Sequence, residues 1–242
     1  MDSLRTFIAI ELPPELRRRV VVHIDRLRRE LPDVRASWLR EDNLHLTLRF
    51  LGDVPVTRIA DVSAAVARAT QAIEPFELTL SGCGAFPPHG RPKVLWIGIE
   101  SGTQAPGLPD LGTQASGLAD LGTQASGIAD LDTQASGLAD LGTQVSGIAD
   151  LGTQVSGLAY LHGALEHQLA TAEFPREARP FHPHLTIARL RQPSGGRELS
   201  NLHKRLGFPP QSFVVSEIVV FRSELLREGS KHTAISRHEL SK

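Results

Sequence analysis

Hydrophobic and polar residues recur along the chain in patterns that predict strands and helices on both sides of a central repeat. Short stretches of strand-forming residues, several of them with a period of two, predict strands at residues 6–12, 43–50, 76–81, 94–99, 184–188, 213–221 and 233–240. A period near 3.6 predicts helices at residues 14–31, 56–71, 158–170 and 198–206. The two kinds of element do not alternate regularly, which favours an α+β fold with antiparallel sheets and flanking helices. Because the two halves of the chain look like rough copies, we expect a bilobal fold with a central cleft.

A ten-residue repeat occupies the middle of the chain, from residue 101 to residue 158. Its unit reads Leu-Gly-Thr-Gln-Ala/Val-Ser-Gly-Leu/Ile-Ala-Asp and recurs about five times. The apolar spacing is helix-like, whereas the 11 glycines of the segment oppose a helix at roughly 1 kcal/mol each. We expect disorder or a marginal helical extension rather than a β-solenoid. The repeat is interpreted as an insertion into one bilobal domain spanning residues 1–242, and we expect no catalytic residue in it.

Composition and charge permit a nucleic-acid ligand without requiring one. The chain has 242 residues, of which 40% are hydrophobic and 22% charged, as expected of a globular protein with a buried core. Its net charge is −1, but residues 101–158 contain six acidic residues and neither Lys nor Arg, which leaves +5 on the remainder. This net positive charge outside residues 101–158 suits an anionic ligand.

Other features favour a soluble cytoplasmic protein. Cys83 is the only cysteine, so no intramolecular disulfide can form, which fits a reducing compartment. The first residues lack the basic-then-apolar layout of a secretion signal, and no run of 18 apolar residues predicts a membrane span. We expect a cytoplasmic monomer with no membrane partner.

Two short motifs of the form His-apolar-Thr-apolar, here called the tetrads, carry the candidate chemistry. Residues 45–48 read His-Leu-Thr-Leu and residues 184–187 read His-Leu-Thr-Ile, both within predicted strands. A period of two places each His and its Thr on one face and directs the apolar neighbours to the core. Imidazole has an unperturbed pKa of about 6.5, so two imidazoles can serve as acid and base on opposite sides of a phosphorus. Each Thr hydroxyl can donate a hydrogen bond to a phosphate oxygen.

The pair of tetrads is more specific than either tetrad alone, because a single His-x-Thr in a strand is more often an ordinary surface or core residue. His182 shares the parity of His184 and suggests a metal site with His45, but no cysteine or acidic cluster supplies further ligands. We therefore expect no metal and no cofactor. Cys83 lies in a Gly-rich segment without an obvious base, so it is not interpreted as a nucleophile.

The residues around the tetrads resemble a known family. Arg-Phe-Leu-Gly-Asp-Val follows the first tetrad, and Arg-Pro-Phe-His-Pro-His leads into the second. Further agreement lies at residues 5–10, 93–98 and 221–225. The chain is similar to the two-histidine phosphoesterase superfamily and, within it, to bacterial RNA 2′,3′-cyclic phosphodiesterases, historically called 2′-5′ RNA ligases. The resemblance covers about residues 1–100 and 159–242.

This resemblance implies hydrolysis of 2′,3′-cyclic phosphate ends of RNA to 2′-phosphomonoesters, with reversible 2′-5′ ligation as a further activity. It implies that His45 protonates the departing 3′-oxygen, that His184 activates water, and that Thr47 and Thr186 hold the phosphate. The family often has an aromatic residue before the last strand, where this chain has Gly-Ser-Lys-His-Thr at residues 229–233. A packing or stacking contact there is expected to be weaker.

Three basic residues are further candidates for substrate binding. Arg49 is predicted on the face of His45, Lys93 opens a strand, and Arg189 follows the second tetrad on the opposite parity. Two alternatives to an RNA-end enzyme stay open. One is a phosphodiesterase for small cyclic nucleotides, which substrate length would distinguish. The other is a non-catalytic nucleotide-binding scaffold, whose association would be lost on deleting residues 101–158.

Overall fold

The computed structural model describes residues 2–101, 157–191, 195–226 and 229–241. The predicted repeat lies outside these residues except for Ser101, Gly157 and Leu158 at its ends. The strands are β1 (Ser3–Glu11), β2 (Ala36–Trp38), β3 (His45–Pro55), β4 (Phe76–Phe86), β5 (Val94–Ser101), β6 (His184–Leu190), β7 (Gln211–Val215), β8 (Glu217–Leu226) and β9 (Gly229–Glu239). The helices are α1 (Pro14–Glu30), α2 (Ile59–Thr70), α3 (Gly157–Thr171) and α4 (Gly196–Leu206).

The strands form two antiparallel sheets, which confirms the predicted α+β architecture. The first sheet has the order β3-β1-β8-β9, and the second has the order β2-β6-β5-β4-β7. The pairings within both sheets are antiparallel. One face of each sheet packs against the helices. The tetrads lie at the starts of β3 and β6, so each tetrad has one face towards this core and one face away from it.

The prediction that the two halves of the chain form the two lobes is wrong. β1 lies between β3 and β8, so the first sheet joins strands from both ends of the chain. The second sheet likewise pairs β2 from the first half with β6 from the second half. Neither sheet is complete without residues from both sides of the repeat.

Two glycines mark bulges within strands that the sequence predicts to end there. β3 continues past Gly52 to Pro55, and β4 continues past Gly82 to Phe86, where a loop is predicted. Both glycines have positive φ, +71° and +67°, and both lie at register shifts of their ladders. Glycine adopts this conformation without steric cost, so it accommodates an extra residue and the ladder resumes beyond it.

A change of sheet at Ser216 splits the strand predicted at residues 213–221. β7 pairs with β4 in the second sheet, whereas β8 pairs with β1 in the first. Apolar residues stand on both sides of Ser216 and Glu217 without a regular alternation, so hydropathy gives no sign that the chain moves between sheets. β2 is absent from the predicted elements because a strand of three residues is too short to show a period.

One hydrophobic core connects both sheets with the helices. Four leucines at helical spacing along α3 are fully buried, at Leu158, Leu161, Leu165 and Leu169. Each such leucine contributes about 1.5–3 kcal/mol relative to an exposed side chain. A separate small cluster of Phe7, Ala9, Val219 and Phe221 covers the other face of the first sheet. In the described ranges, no helix is long and apolar enough to cross a bilayer.

Candidate active site

β3 directs His45 and Thr47 to the same face of the first sheet. His45 pairs with Glu11, and Thr47 pairs with Ala9, both of β1. Residues that face each other in an antiparallel pair lie on the same side of the sheet, and Ala9 belongs to the small cluster on this side. Leu46 between them is buried in the main core. The alternation predicted for the first tetrad is therefore confirmed.

Aromatic rings surround the imidazole of His45. Its ring centroid lies 4.8 Å from that of Phe7, 6.1 Å from that of Phe221 and 5.1 Å from that of His232. Burial lowers the pKa of His45 to about 3, with His232 as a second cause and a backbone hydrogen bond at Asn43 acting in the opposite direction. The imidazole is neutral at pH 7 in these surroundings, and an anion placed beside it would favour its protonation.

β6 holds His184 and Thr186 in the corresponding arrangement on the second sheet. His184 pairs with Gly98 of β5, and Thr186 pairs with Trp96. The ring of Phe86 meets the imidazole of His184 edge-on, with the centroids 5.0 Å apart. Each tetrad thus has an imidazole against an aromatic ring and a Thr two residues later on the same face.

A backbone contact sets the tautomer of His184. Its Nδ1 lies 2.7 Å from the carbonyl oxygen of His182. Because a carbonyl only accepts, Nδ1 donates and Nε2 keeps a lone pair in the neutral ring. Burial lowers the pKa of His184, the hydrogen bond to His182 raises it, and the charge of Arg189 lowers it again. A neutral imidazole with a free Nε2 is suited to accept a proton from water.

The two tetrads lie on neighbouring strands of different sheets. β3 is an edge strand of the first sheet and contacts β6 of the second. β2 covers β6 only along its last three residues, and the Leu39 N–H just beyond β2 donates to the Ile187 carbonyl at 2.9 Å. The part of β6 that carries His184 and Thr186 is therefore left next to β3 rather than to another strand of its own sheet.

The position predicted for Arg49 is wrong. One extra residue, Leu48, separates Thr47 from Arg49 in the ladder with β1, and Arg49 faces Ile8. Ile8 is buried in the main core, so Arg49 points to the side opposite His45, where it is 6% exposed. Strict alternation would have placed the guanidinium beside the imidazole, and the bulge reverses the face.

Arg49 belongs to a buried group of ion pairs. Its Nε lies 3.1 Å from Glu166 Oε1, and its Nη1 lies 3.5 Å from Glu177 Oε2. Its Nη2 also donates to the Pro175 carbonyl. The contact with Glu166 is close but lacks the angle of a hydrogen bond, so it is ionic in character. The guanidinium links β3 to α3 and to the segment after it, and this position does not suit a phosphate contact.

Phe50 and His232 are rings at the site, and neither is among the site residues predicted from the sequence. Phe50 pairs with Phe7, with the ring centroids 5.7 Å apart, and is 51% exposed. His232 on β9 lies 4.9 Å from Phe7 and contacts His45 as described. The stretch 229–233 could have indicated this contact, because histidine is itself an aromatic ring. The packing contact expected from the family resemblance is made here by an imidazole.

A second bulge changes the face of Arg189. Ile187 is the extra residue in the ladder between β5 and β6, so Arg189 returns to the side of Thr186 despite its opposite parity. Its exposed guanidinium lowers the pKa of His184, in agreement with a position on the same face. The bulge thus places Arg189 near the second tetrad, where alternation alone would have placed it away from it.

Lys93 and Cys83 differ in their relation to the tetrads. Lys93 is exposed immediately before β5, and its backbone N–H donates to Phe86 at 2.7 Å while its carbonyl accepts from Leu190 at 2.8 Å. Its side chain as a phosphate ligand stays a prediction. Burial raises the pKa of the Cys83 thiol to about 12, which agrees with the expectation that it is not a nucleophile.

A model of the family described as LigT like phosphoesterase matches residues 10–96 and 152–232. These two spans contain both tetrads and more than half of the chain. The chain belongs to the LigT-like phosphoesterase family. The crystal structure of E. coli LigT complexed with 3′-AMP covers the whole chain at a TM-score of 0.60 and 23% identity. TT0787 of Thermus thermophilus covers 98% of both chains at a TM-score of 0.62 and 21% identity, so the fold is shared.

Curated relatives of the family match at higher identity over shorter segments. The RNA 2′,3′-cyclic phosphodiesterase of Thermotoga maritima is 34% identical over 98 residues, which are 40% of this chain and 51% of that protein. The chain thus spans about half the length of this relative and of the others it matches at similar identity. The E. coli RNA 2′,3′-cyclic phosphodiesterase matches over 99% of this chain and 98% of its own length at 24% identity.

Truncating Arg49 should destabilise the fold. Arg49→Ala would leave the carboxylate of Glu166 buried without its counter-ion, and breaking such a pair costs about 3–5 kcal/mol. We expect the free energy of unfolding in urea to fall by this amount. The matched control is Arg19→Ala, because Arg19 is 57% exposed and pairs with Glu15 at 4.0 Å. That change should cost less than about 1 kcal/mol. Equal losses in the two variants would contradict the buried ion pair.

Removing the charge of Arg189 should raise the pKa of His184. Arg189 lowers this pKa, so Arg189→Gln removes a repulsion that disfavours the imidazolium. Titration of the imidazole nitrogens by NMR would measure the shift, with the signal of His45 as an internal reference. Arg191→Gln is the control, since Arg191 is exposed beyond the end of β6. An unchanged pKa of His184 in the Arg189 variant would show that this side chain does not face the tetrad.

Proposed function

We propose that this protein hydrolyses 2′,3′-cyclic phosphate ends of RNA to 2′-phosphomonoesters, using His45 and His184 without a metal ion. The observation that carries the proposal is the pair of partly buried imidazoles on adjoining strands, each with a Thr on its own face. Membership of the family supports it. Relatives named RNA 2′,3′-cyclic phosphodiesterase support the substrate, as does the binding of 3′-AMP by E. coli LigT.

In this mechanism His184 is the general base. Its Nε2 takes a proton from a water molecule, and the water oxygen forms a bond to phosphorus opposite the 3′-oxygen. The bond between phosphorus and the 3′-oxygen breaks, and protonated His45 donates its proton to that oxygen. The products are a 2′-phosphomonoester and a free 3′-hydroxyl. His184 then carries the proton taken from water and His45 is neutral, and proton exchange with solvent restores both residues.

The electrostatics of the site support His45 as the general acid and His184 as the general base. Burial keeps both imidazoles neutral until an anion arrives, and the phosphate then favours the protonated form of His45. His184 has its Nδ1 proton engaged by the backbone, so Nε2 is the atom that accepts. Thr47 and Thr186 donate to the phosphate oxygens as charge develops in the transition state. Arg189 adds a positive charge on the face of the second tetrad.

The RNA itself needs contacts beyond the phosphate. Phe50 offers an exposed ring on the face of His45, and an unpaired base can stack on such a ring for about 1–3 kcal/mol. Lys93 and Arg189 would contact the backbone phosphates. If a 5′-hydroxyl took the place of water, the same displacement would join two RNA ends through a 2′-5′ bond and release the 3′-hydroxyl, and this ligation would be reversible.

Both imidazoles should be required for turnover of a short RNA with a 2′,3′-cyclic phosphate end. In EDTA, wild type should hydrolyse it, while His45→Ala and His184→Ala should each lose about 10²–10⁴ in kcat, the usual contribution of a general acid or base. Chromatography of the product against synthetic standards should identify a 2′-phosphate. His167→Ala is the control, because His167 is an exposed residue of α3.

Different results would favour the other candidate functions. A preference for 2′,3′-cyclic mononucleotides over oligonucleotides would favour an enzyme for small cyclic nucleotides. Absence of turnover on both substrates by folded wild type would contradict the proposal and favour a nucleotide-binding scaffold. A 3′-phosphate product would contradict the assignment of His45 to the 3′-oxygen.

We also propose that the repeat is an insertion that the site does not need. The residues at its two ends lie close together: Ser101 pairs with Leu78 at the start of β4, and Gly157 packs against the ring of Phe76, two residues earlier. A short connection can join them. Replacing residues 103–155 with a short Gly/Ser linker should keep kcat/KM for the RNA within a few-fold. Loss of activity in a variant with unchanged circular dichroism would contradict this proposal.

A further inference from the structure

The second sheet carries a group of metal-binding side chains on its helix side. His23 of α1, His203 of α4 and Cys83 of β4 each offer one ligand atom, and these atoms lie within 4.8 Å of one another. His203 is fully buried, and His23 is 9% exposed. The family's chemistry, as proposed above, uses none of the three. Three ligands from three elements converge here on one point, and two of them are imidazoles inside the core.

A bulge in β4 turns Cys83 towards the imidazoles. Leu78 and Leu80 face the core, and strict alternation would send Cys83 to the other side of the sheet. The extra residue Gly82 reverses the face, so Cys83 pairs with the buried Ile97. Cys83 therefore shares the helix side of the sheet with His23 and His203. The tetrad residues His184 and Thr186 face the opposite side.

Hydrogen bonds hold the imidazoles in the tautomers that a metal site needs. His203 Nε2 lies 3.0 Å from the Trp96 carbonyl, which only accepts, so Nε2 carries the proton. The neutral ring of His203 then presents the lone pair of Nδ1, which lies 2.9 Å from His23 Nε2. Metal-binding histidines usually donate their other N–H to a carbonyl or carboxylate in this way. The Trp96 carbonyl thus already holds the ring of His203 in the orientation and tautomer that a metal ligand needs.

We propose that His23, His203 and Cys83 bind one zinc ion that ties α1 and α4 to the second sheet. Two imidazoles and a thiolate are zinc ligands, whereas magnesium and calcium prefer oxygen. A water molecule would complete the tetrahedron, and Cys83 is only partly buried. Cys83 releases one proton on binding. His23 moves its proton from Nε2 to Nδ1, so that Nε2 can bind the ion.

The adjustment needed for binding is small. Zinc lies about 2.0–2.1 Å from nitrogen and about 2.3 Å from sulfur, so the ligand atoms of a tetrahedral site are about 3.3–3.8 Å apart. The two nitrogens must separate slightly from 2.9 Å, and the most distant pair must approach from at most 4.8 Å. Rotations of Cys83 and His23 about their side-chain bonds achieve this, while the backbone contact keeps His203 in place.

The test uses tag-free full-length protein, zinc and its spectroscopic substitute cobalt. Dialysis against zinc followed by metal analysis should give one ion per chain. Zinc at a hundredfold excess over Kd should raise Tm by roughly 5 to 10 °C, the shift expected for a ligand that binds only the folded state. Cobalt should produce a thiolate-to-metal charge-transfer band together with the visible bands of a tetrahedral complex. Magnesium at the same concentration should change neither signal.

Variants separate this site from adventitious binding. Cys83→Ser should abolish the charge-transfer band and weaken zinc binding by more than about 100-fold. Loss of a ligand should weaken binding at least as much as loss of a residue that only hydrogen-bonds to a ligand. His23→Gln should weaken binding as well, and His167→Gln on the surface of α3 should not. Cys83 is half-buried, so its Ser variant serves if changes at the fully buried His203 prevent folding. No thiolate band in wild type, or unchanged binding in Cys83→Ser, would overturn the proposal.

Discussion

The side of a sheet on which a residue lies depends on every bulge that precedes it in the ladder, and the candidate sites of this protein depend on that constraint. Leu48 is one extra residue in β3, and it separates the face of His45 from the face of Arg49. Ile187 in β6 has the opposite consequence and brings Arg189 back to the face of Thr186. Gly82 in β4 turns Cys83 towards the helices. Three single-residue insertions thus decide which of these side chains lie on the faces of the tetrads and which lie on the helix sides of the sheets.

The tetrads and the main helices could be predicted because their signals are local. His45 and Thr47, like His184 and Thr186, are two positions apart, and a strand of a few residues is enough to place them on one face. The leucines of α3 are likewise readable from a period of 3.6. The family resemblance then supplied the roles of these residues, which the spacing alone does not specify.

The missed features depend on pairing with distant strands. The bulge at Leu48 has no glycine to mark it, so the face of Arg49 cannot be read from β3 by itself. Gly52 and Gly82 are visible in the sequence, but a glycine is as compatible with the end of a strand as with a bulge inside it. The move from the second sheet to the first at Ser216 happens within one residue, and the apolar runs on its two sides look alike in the sequence. Such features are decided by the partner strands and not by local preference.

The location of the proposed insertion also affects the entropy of folding. Its flanking residues, Ser101 and Gly157, meet at neighbouring positions of β4, so the connection between them is a loop whose ends are already held by the fold. Closing a loop costs free energy that grows only with the logarithm of its length. A connection of 55 residues between these two positions costs about 2 kcal/mol more than one of five residues, even if it makes no contact of its own. At this junction, further copies of a ten-residue unit add only tenths of a kcal/mol each, so the length of the connection can vary with little effect on stability.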